Sequence, residues 1–290
     1  AGDSGIGLTL LPVFYAHSDF GGEPANLHQV RLVSDIEGFT ALLESSDRAI
    51  AALDDAVLGV APHSLHAGPI HIHIAEQLRE VEACLAWSGR RPVEWLFDNA
   101  EVNERWCLVH ATHVNDQELR KIAESKAVVG LCPITEANLG DGLFPLREFT
   151  ASNGRFGIGS DSNVLIDPAE ELRWLEYGQR LRSQERNVLV AGSDMSSGRF
   201  LFEGAVRGGA QALGVAPGLQ VGASADIVSL NTKHPTMICR SEDRLLDSWV
   251  FAARGGAVDS VWRRGRKLVS GGRHMHRETV ERSFHQALSR

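Results

Sequence analysis

The chain has 290 residues, of which 43% are hydrophobic and 23% charged, and its formal net charge is −8. This composition supports a sizeable packed core, which excludes a disordered or collagen-like polymer. The excess of acidic residues argues against nucleic acid or an anionic membrane surface as a partner, because both repel negative charge.

The cysteines and the apolar segments bear on the cellular compartment. The 4 cysteines lie far apart and form no CxxC pair, so we expect reduced thiols rather than a disulfide scaffold. The longest strongly apolar stretch, residues 5–16, is too short to span a bilayer. No basic segment precedes it, as one would in a signal peptide. These observations favour a cytoplasmic protein.

Short apolar runs without polar alternation recur through the first 160 residues. Such runs are typical of strands that are buried on both faces of a parallel sheet. Amphipathic helices are predicted between several of them, and strand–helix alternation indicates a parallel α/β fold. Strands are predicted at 7–15, 57–62, 69–75, 106–111, 127–132 and 156–159, and helices at 76–87, 92–99 and 116–125, the last with Asn115 as N-cap.

The pattern changes after residue 161. Longer helices are predicted at 169–182 and 199–213, and a last helix is predicted from about Glu278. From residue 221 onward the segments are short and β-like, which indicates a small β appendage. The segments concerned are ADIVSL, SWVFAA, VDSVWRRG and RKLVSGG.

The connection between the second and third predicted strands is unusually short. Only HSLHAG separates Pro62 from Pro69, whereas a parallel crossover needs about a dozen residues or more. Either residues are absent here, or the two strands form an antiparallel hairpin. We favour an absent segment, because mixed strands are uncommon in such an alternating fold.

Ionisable and polar side chains follow most of the predicted strands at their carboxyl ends. In a parallel α/β barrel the active site lies at that face. A single such histidine is more often a satisfied core residue than a ligand, but a cluster favours a metal or catalytic site. The cluster contains His63, His73, Glu76, His110, His113, Thr135, Glu136, Asp161 and Ser162.

The segment HIHIAE brings an imidazole and a carboxylate to one strand end. His71 and His73 share a strand face, whereas Glu76 must lie on the following loop or first helical turn. Imidazole is a common zinc ligand, and a nearby carboxylate can shuttle protons. Glu76 could equally be an ordinary acid at a helix N-terminus, where the helix dipole favours it.

Asp161 ends the small-residue strand GIGS. A carboxylate at this place can bind a metal and accept a proton from water. Alternatively, Asp161 caps the next helix, since aspartate is a good N-cap residue. The HxxE and VHATH segments on earlier strands favour the metal site.

Seven segments resemble formimidoylglutamate deiminases, within the amidohydrolase superfamily. The similarity runs through most of residues 5–230. CPITEANLGDG and ELRWLEYGQRLR are its specific parts, whereas HxxE and SD are shared widely across deaminases. The other segments are GIGLTLLPVFY, GVAPHSL, HIHIAEQ, CLVHATH and GIGSDS.

The resemblance implies a role for particular residues. It makes His73 and Asp161 ligands of one divalent metal, Zn²⁺ or alternatively Fe²⁺, with Asp161 also the proton acceptor. Glu76 is implied to handle protons on the imine nitrogen and on the leaving group. His110 is implied to lie near the reacting water, and His63 in the substrate pocket. Glu76 and His110 would therefore contact the substrate as well.

The resemblance further implies an incomplete (β/α)8 TIM-type barrel of the amidohydrolase kind with a small β-sandwich appendage. The chain would supply strands three to eight, without the first-strand HxH pair of zinc ligands, and six strands cannot close an eight-stranded barrel. The family's PHSL motif continues with a carboxylate-binding Arg, where this chain has His66. We expect a barrel part at 1–215, part of a β-sandwich at 216–277 and a C-terminal helix at 278–290.

The implied reaction is zinc-dependent hydrolysis of N-formimino-L-glutamate to N-formyl-L-glutamate and ammonia in histidine degradation. Two other classes stay open. One is a related aminohydrolase that acts on a heterocycle such as guanine, and the other is an inactive paralogue that lacks the first-strand HxH. We expect a small-molecule substrate, no nucleic-acid or membrane partner, and a homodimer.

Overall fold

A computed structural model gives the structure of the chain and describes residues 1–18, 20–27, 29–61, 68–190 and 196–289. The described residues form a set of parallel strands with helices around them, followed by a separate antiparallel sheet. None of the helices in these ranges is long and apolar enough to cross a membrane.

The parallel strands are short and follow one another in chain order. They are β1 (Leu8–Leu10), β2 (Ala56–Leu58), β3 (Ile70–Ile74), β4 (Trp106–His110), β5 (Val128–Leu131) and β6 (Arg155–Ile158). β1 pairs with β2, and β3 to β6 form a sheet in that order. Each strand begins within one residue of its predicted run or lies inside it, so the prediction of parallel strands at these places is confirmed.

The two parallel pieces are joined by an isolated parallel bridge between Val60 and Ile70. The Val60 N–H donates to the Pro69 carbonyl at 2.9 Å, and the His71 N–H donates to the Val60 carbonyl at 2.9 Å. The alternative of an antiparallel hairpin is therefore wrong. Residues 62–67 lie outside the described residues, so the expected absence of a segment there stays a prediction.

Helices lie between the strands, and several of them begin at side chains that cap their first free N–H groups. They are α1 (Ile36–Ile50), α2 (Leu78–Ser88), α3 (Pro92–Asn99), α4 (Asp116–Ser125), α5 (Pro133–Leu139), α6 (Leu146–Ala151), α7 (Pro168–Ser183) and α8 (Ser197–Leu213). The Asn115 side chain accepts the first free N–H groups of α4, as predicted. α7 is capped by Asp167, so the alternative that Asp161 caps this helix is wrong.

The core lies between the strands and the helices that cover them. Its fully buried side chains include Leu108, Leu131, Ile122 and Leu201. Burial of each such side chain adds about 1.5–3 kcal/mol to the free energy of unfolding. α8 packs directly on β6, and Gly208 permits this close approach, since a Cβ there would collide with the Phe156 backbone. This close packing holds the carboxyl end of β6 in place.

The second sheet is antiparallel and follows α8. It contains β7 (Ile227–Leu230), β8 (Val258–Arg263), β9 (Arg266–Ser270) and β10 (Arg273–His274), with neighbours paired in that order. The last helix, α10 (Arg277–Leu288), begins one residue before the predicted start. The boundaries that we expect at residues 215 and 277 stay a prediction.

One β-like segment of the sequence is helical. Residues 248–251 of SWVFAA end helix α9 (Asp243–Phe251), so their prediction as a β segment is wrong. A short apolar run does not distinguish a buried strand from a buried helix. Here tertiary contacts decide, since the Arg173 guanidinium donates to the carbonyls of Val250 at 2.6 Å and Ala253 at 2.9 Å, at the end of the helix.

Candidate functional site

Four ionisable side chains meet at the carboxyl ends of β3, β4 and β6. His73 lies in β3, Glu76 just after it, His110 at the end of β4, and Asp161 in the turn after β6. His110 Nε2 lies 3.7 Å from Glu76 Oε1 and 3.9 Å from Asp161 Oδ2. His73 Nε2 lies 4.0 Å from Asp161 Oδ1. The convergence expected of His73 and Asp161 is thus observed.

Three of these residues have the donor set of a divalent metal site. One ligand atom from each of His73, His110 and Asp161 can be chosen so that all lie within 4.8 Å of one another. Two ligands of one zinc ion, each at about 2.0–2.2 Å, are separated by at most about 4.4 Å. The distances of Asp161 to His73 Nε2, 4.0 Å, and to His110 Nε2, 3.9 Å, satisfy this bound. Imidazole and carboxylate are ligands that zinc prefers, so these residues fit a bound divalent metal.

The buried end of His110 supports the same assignment. The His110 side chain is fully buried, and its Nε2 has no hydrogen-bond partner within the described chain. Buried polar atoms are rarely left unpaired, and an ion or a water is a common explanation for the exceptions. Nε2 faces Glu76 and Asp161, so an ion or a water that contacts Nε2 would lie between the side chains of these three residues.

The backbone is in the left-handed region at three positions of this site. The φ angle is 52° at Ala75, 68° at His110 and 45° at Asp161. For residues other than glycine this conformation costs about 1–3 kcal/mol, and such residues cluster at functional sites. The strained backbone is held by hydrogen bonds between neighbouring strand ends, including His113 N–H to the Ala75 carbonyl at 2.9 Å.

Glu76 lies in the loop between β3 and α2. The acid in the first turn of α2 is Glu80, whose carboxylate accepts the N–H groups of Ala75 at 2.7 Å and Glu76 at 2.9 Å. The acid at the N-terminus of α2 is therefore Glu80, and Glu76 does not have this role. Glu80 also fixes the loop so that the Glu76 side chain faces His110.

The surroundings of Glu76 favour its protonated form. Burial raises the pKa of Glu76, His110 opposes this shift, and the carboxylates of Asp141 and Asp161 raise it further. Asp141 is itself held by a hydrogen bond from Gln77 Nε2 at 3.1 Å. The sequence motif NLGDG contains Asp141, but its position beside Glu76 was not predicted.

His110 has a raised pKa for a different reason. Burial alone would lower the pKa of His110, but the hydrogen bond to Glu136 and the negative charge of Glu76 outweigh burial and raise it. A carboxylate on either side of the ring is thus the dominant electrostatic feature of this residue.

Two adjacent residues of α5 support the site from behind. Glu136 Oε1 lies 3.2 Å from His110 Nδ1, and it also accepts the Cys132 N–H at 2.9 Å. The hydroxyl of Thr135 contacts Ser162 Oγ at 2.8 Å and donates to the Ser160 carbonyl at 3.2 Å. The sequence placed Thr135 and Glu136 in the strand-end cluster without giving either a task.

The other histidines that the sequence analysis named have different positions. His71 Nε2 lies 2.7 Å from the Ala212 carbonyl at the end of α8, which accounts for this ring without a metal. The backbone carbonyl of His113 accepts a hydrogen bond from Arg91 at 2.6 Å, and His113 is not in the ligand group found among the described residues. His63 and His66 lie outside the described residues.

A cavity of about 890 Å³ opens beside Glu76. It lies between the segment that follows β1 and the first turns of α2. Its walls are largely polar and include one arginine, Arg79, together with Tyr15, Gln29 and Glu80. A small polar molecule in this cavity would reach Glu76, which faces His110 on its other side.

Comparison with known proteins gives one family and several relatives. The model of the amidohydrolase family matches residues 66–268. The formimidoylglutamate deiminase of Pseudomonas aeruginosa is 47% identical over 305 residues, which cover 99% of this chain and 67% of that protein. A 5-methylthioadenosine/S-adenosylhomocysteine deaminase of Pyrococcus abyssi is 29% identical over 66% of this chain and 44% of its own length.

Solved structures give the same picture. An amidohydrolase from Brucella melitensis superposes with a TM-score of 0.93 at 52% identity, over 100% of this chain and 67% of that one. An adenosine deaminase from Xanthomonas campestris with bound zinc has a TM-score of 0.79 at 20% identity, over 97% of this chain and 64% of that one. The chain thus spans about two thirds of the length of these structures.

Proposed function

We propose that this chain, which belongs to the amidohydrolase family and within it to the formimidoylglutamate deiminases, hydrolyses N-formimino-L-glutamate to N-formyl-L-glutamate and ammonia. The observation that carries the proposal is the meeting of His110 with Glu76 and Asp161, in a chain 47% identical to a formimidoylglutamate deiminase. We place the reaction in histidine degradation, in a cytoplasmic homodimer.

We propose one divalent metal, Zn²⁺ with Fe²⁺ as the alternative. His73 and Asp161 would hold it, and His110 Nε2 is near enough to the same point to contact it or its surroundings. When bound, the metal supplies a Lewis acid that makes water a stronger nucleophile at neutral pH. The remaining chemistry is assigned to side chains of this chain.

Asp161 and Glu76 divide the proton transfers between them. Asp161 accepts the proton that water loses as its oxygen attacks the formimino carbon. Glu76 delivers a proton to the imine nitrogen as the new C–O bond forms. Asp161 then returns its proton to the same nitrogen, which leaves as ammonia when the C–N bond breaks. Glu76 takes back the hydroxyl proton of the adduct as the formyl C=O bond forms. Burial and the neighbouring carboxylates raise the pKa of Glu76, a shift in the direction that favours a proton donor.

His110 lies between the two carboxylates. Its Nε2 is 3.7 Å from Glu76 and 3.9 Å from Asp161, so it can orient the attacking water or stabilise the charge that develops on the substrate. General acid–base steps of this kind contribute about 10²–10⁴-fold to turnover.

The substrate would bind in the cavity beside Glu76. Its two carboxylates need cationic or strong hydrogen-bond donors, and an arginine can hold a carboxylate with two parallel hydrogen bonds. Arg79 lines this cavity. His63 would contribute from outside the described ranges, and the family's PHSL arginine from the residues that we expect between Leu65 and His66.

The test is a comparison of substrates on the full-length gene product, with its metal content measured. Ammonia release from N-formimino-L-glutamate at least about 100-fold faster than from guanine or 5-methylthioadenosine supports the proposal. Preference for a heterocycle would favour the aminohydrolase alternative. A purified protein without bound metal and without activity after metal addition would favour the inactive paralogue.

A further inference from the structure

Glu136 is a buried carboxylate that the proposed reaction does not use. Only 5% of its surface is exposed, so no bulk water solvates its charge. Its Oε1 accepts the N–H of Cys132 at 2.9 Å and lies 3.2 Å from His110 Nδ1. One buried oxygen of Glu136 therefore contacts both the N-cap residue of α5, Cys132, and the histidine of the site, His110.

The direction of the second hydrogen bond follows from the first. A backbone N–H can only donate, so the Glu136 oxygen that receives it is acting as an acceptor. A carboxylate has no donor to offer, and His110 Nδ1 must then be the donor of the 3.2 Å contact. The ring proton belongs on Nδ1, on the side away from Glu76 and Asp161.

The other ring nitrogen is left free on the opposite side. His110 Nε2 is buried and lacks a hydrogen-bond partner within the described chain. It faces Glu76 at 3.7 Å and Asp161 at 3.9 Å. A rotation of the ring or a change of tautomer would replace this nitrogen by a carbon or by an N–H group.

We propose that Glu136 is a positioning residue that fixes the imidazole of His110 and keeps a proton on Nδ1, so that Nε2 faces the reaction centre. A carboxylate that holds the far nitrogen of a functional histidine determines both its tautomer and its ring orientation. This inference rests on the proposed function insofar as His110 acts in turnover, but the tautomer itself can be measured without substrate.

The test uses the full-length, zinc-loaded enzyme labelled with ¹⁵N-histidine. Long-range ¹H–¹⁵N spectra, with the His110 signals assigned by their loss in His110→Asn, report which nitrogen carries the proton. We expect the Nδ1–H pattern in the unchanged enzyme and in Glu136→Gln, whose amide oxygen can still accept both hydrogen bonds. We expect its loss in Glu136→Ala, with kcat about 10–100-fold lower and KM changed by less than about threefold.

Glu118→Ala is the matched control. Glu118 is a fully buried glutamate that accepts the Asn115 N–H at 2.8 Å and pairs with Arg91, away from the site. Its removal should lower Tm but leave the His110 signals and kcat unchanged. The proposal is overturned if Glu136→Ala keeps the Nδ1–H pattern of His110, with Glu136→Leu taking its place should the alanine variant not fold. It is also overturned if a folded Glu136→Gln loses that pattern. An Nε2–H pattern in the unchanged enzyme would also overturn it, whichever substrate is turned over.

Discussion

His73 Nε2 lies 4.0 Å from Asp161 Oδ1, although the strands that carry them, β3 and β6, are separated in the sheet by β4 and β5. In a flat sheet three strand spacings of about 4.8 Å would keep the two strand ends about 14 Å apart. The side chains meet because the sheet curves as part of a barrel, and because the turn at Asp161 adopts a left-handed backbone with φ 45°.

The first prediction concerns the metal ligands. His73→Ala and Asp161→Asn should each lower metal affinity by at least about 100-fold, because loss of a ligand exceeds the 10–100-fold effect of losing a supporting hydrogen bond. His71→Ala is the control, since His71 lies on the same strand face but contacts the Ala212 carbonyl instead. Metal content after dialysis against a graded chelator measures this. Equal metal retention in all three variants would show that His73 and Asp161 are not metal ligands.

A second prediction separates proton transfer from metal binding. Glu76→Gln should keep the metal and lose about 10²–10⁴-fold in turnover, because the amide cannot donate a proton to the leaving nitrogen. Glu82→Gln, an exposed change on helix α2, which follows Glu76, should leave turnover within twofold of the original. Steady-state kinetics and metal analysis on the same samples give the answer. Normal turnover by Glu76→Gln would end the proton-donor role.

A third prediction concerns the turn that carries Asp161. Thr135→Val removes the hydroxyl that contacts Ser162 and the Ser160 carbonyl on either side of Asp161. We expect metal affinity to fall by about 10-fold, as for the loss of other supporting hydrogen bonds around a metal. Thr150→Val makes the same chemical change on α6, where the hydroxyl donates to the Leu146 carbonyl, and should not alter metal binding.

How much of this arrangement was visible in the sequence depends on the kind of contact. The six apolar runs and a parallel α/β fold were predictable, because strand burial is a local pattern. The amidohydrolase fold class came from the resemblance of seven segments to that family, and it is confirmed by the family match and the solved structures. The polar side chains at the strand ends meet at one edge of the sheet because the strands are parallel. The supporting contacts of Thr135, Glu136 and Asp141 were not predictable, because they depend on how separate loops pack. The helical segment at 248–251 was missed for the same reason.

A fourth prediction is a pH dependence of stability that comes from Glu171. Burial raises the pKa of Glu171 to about 7, from 4.5 in an unfolded chain. Between these values the folded protein binds more protons than the unfolded one, so the free energy of unfolding falls as pH rises from about 4.5 to about 7. The total loss is on the order of 3 kcal/mol, and it is complete above the folded pKa.

The Glu171 prediction is measured by urea unfolding of the metal-free protein at pH 5 and pH 8. Glu171→Gln can still accept the Ile134 N–H through its amide oxygen but does not titrate. The difference in unfolding free energy between the two pH values should therefore be smaller in this variant than in the original protein. Identical pH slopes in the two proteins would show that Glu171 is not the group responsible.

The last prediction concerns the connection from β2 to β3. Val60 and Ile70 are parallel neighbours, a relation that normally needs a crossover of about a dozen residues or more. The alignment with the Pseudomonas aeruginosa enzyme spans 305 residues against 290 in this chain, so that enzyme has residues without a counterpart here. We expect the gene to encode further residues between Leu65 and His66, beginning with an arginine.

Peptide mapping of the full-length protein, with its intact mass compared with the 31.6 kDa of this chain, tests that expectation. A single neutral imidazole cannot replace an arginine that holds a substrate carboxylate with two charge-assisted hydrogen bonds. Replacing that arginine by alanine should raise KM for N-formimino-L-glutamate by at least about 100-fold, since the two bonds are worth about 1.5–3 kcal/mol each, while metal binding stays unchanged. A peptide in which Leu65 is followed directly by His66 would refute the inserted arginine. It would turn the preference toward another aminohydrolase or an inactive relative, because the substrate carboxylates would then lack this cation.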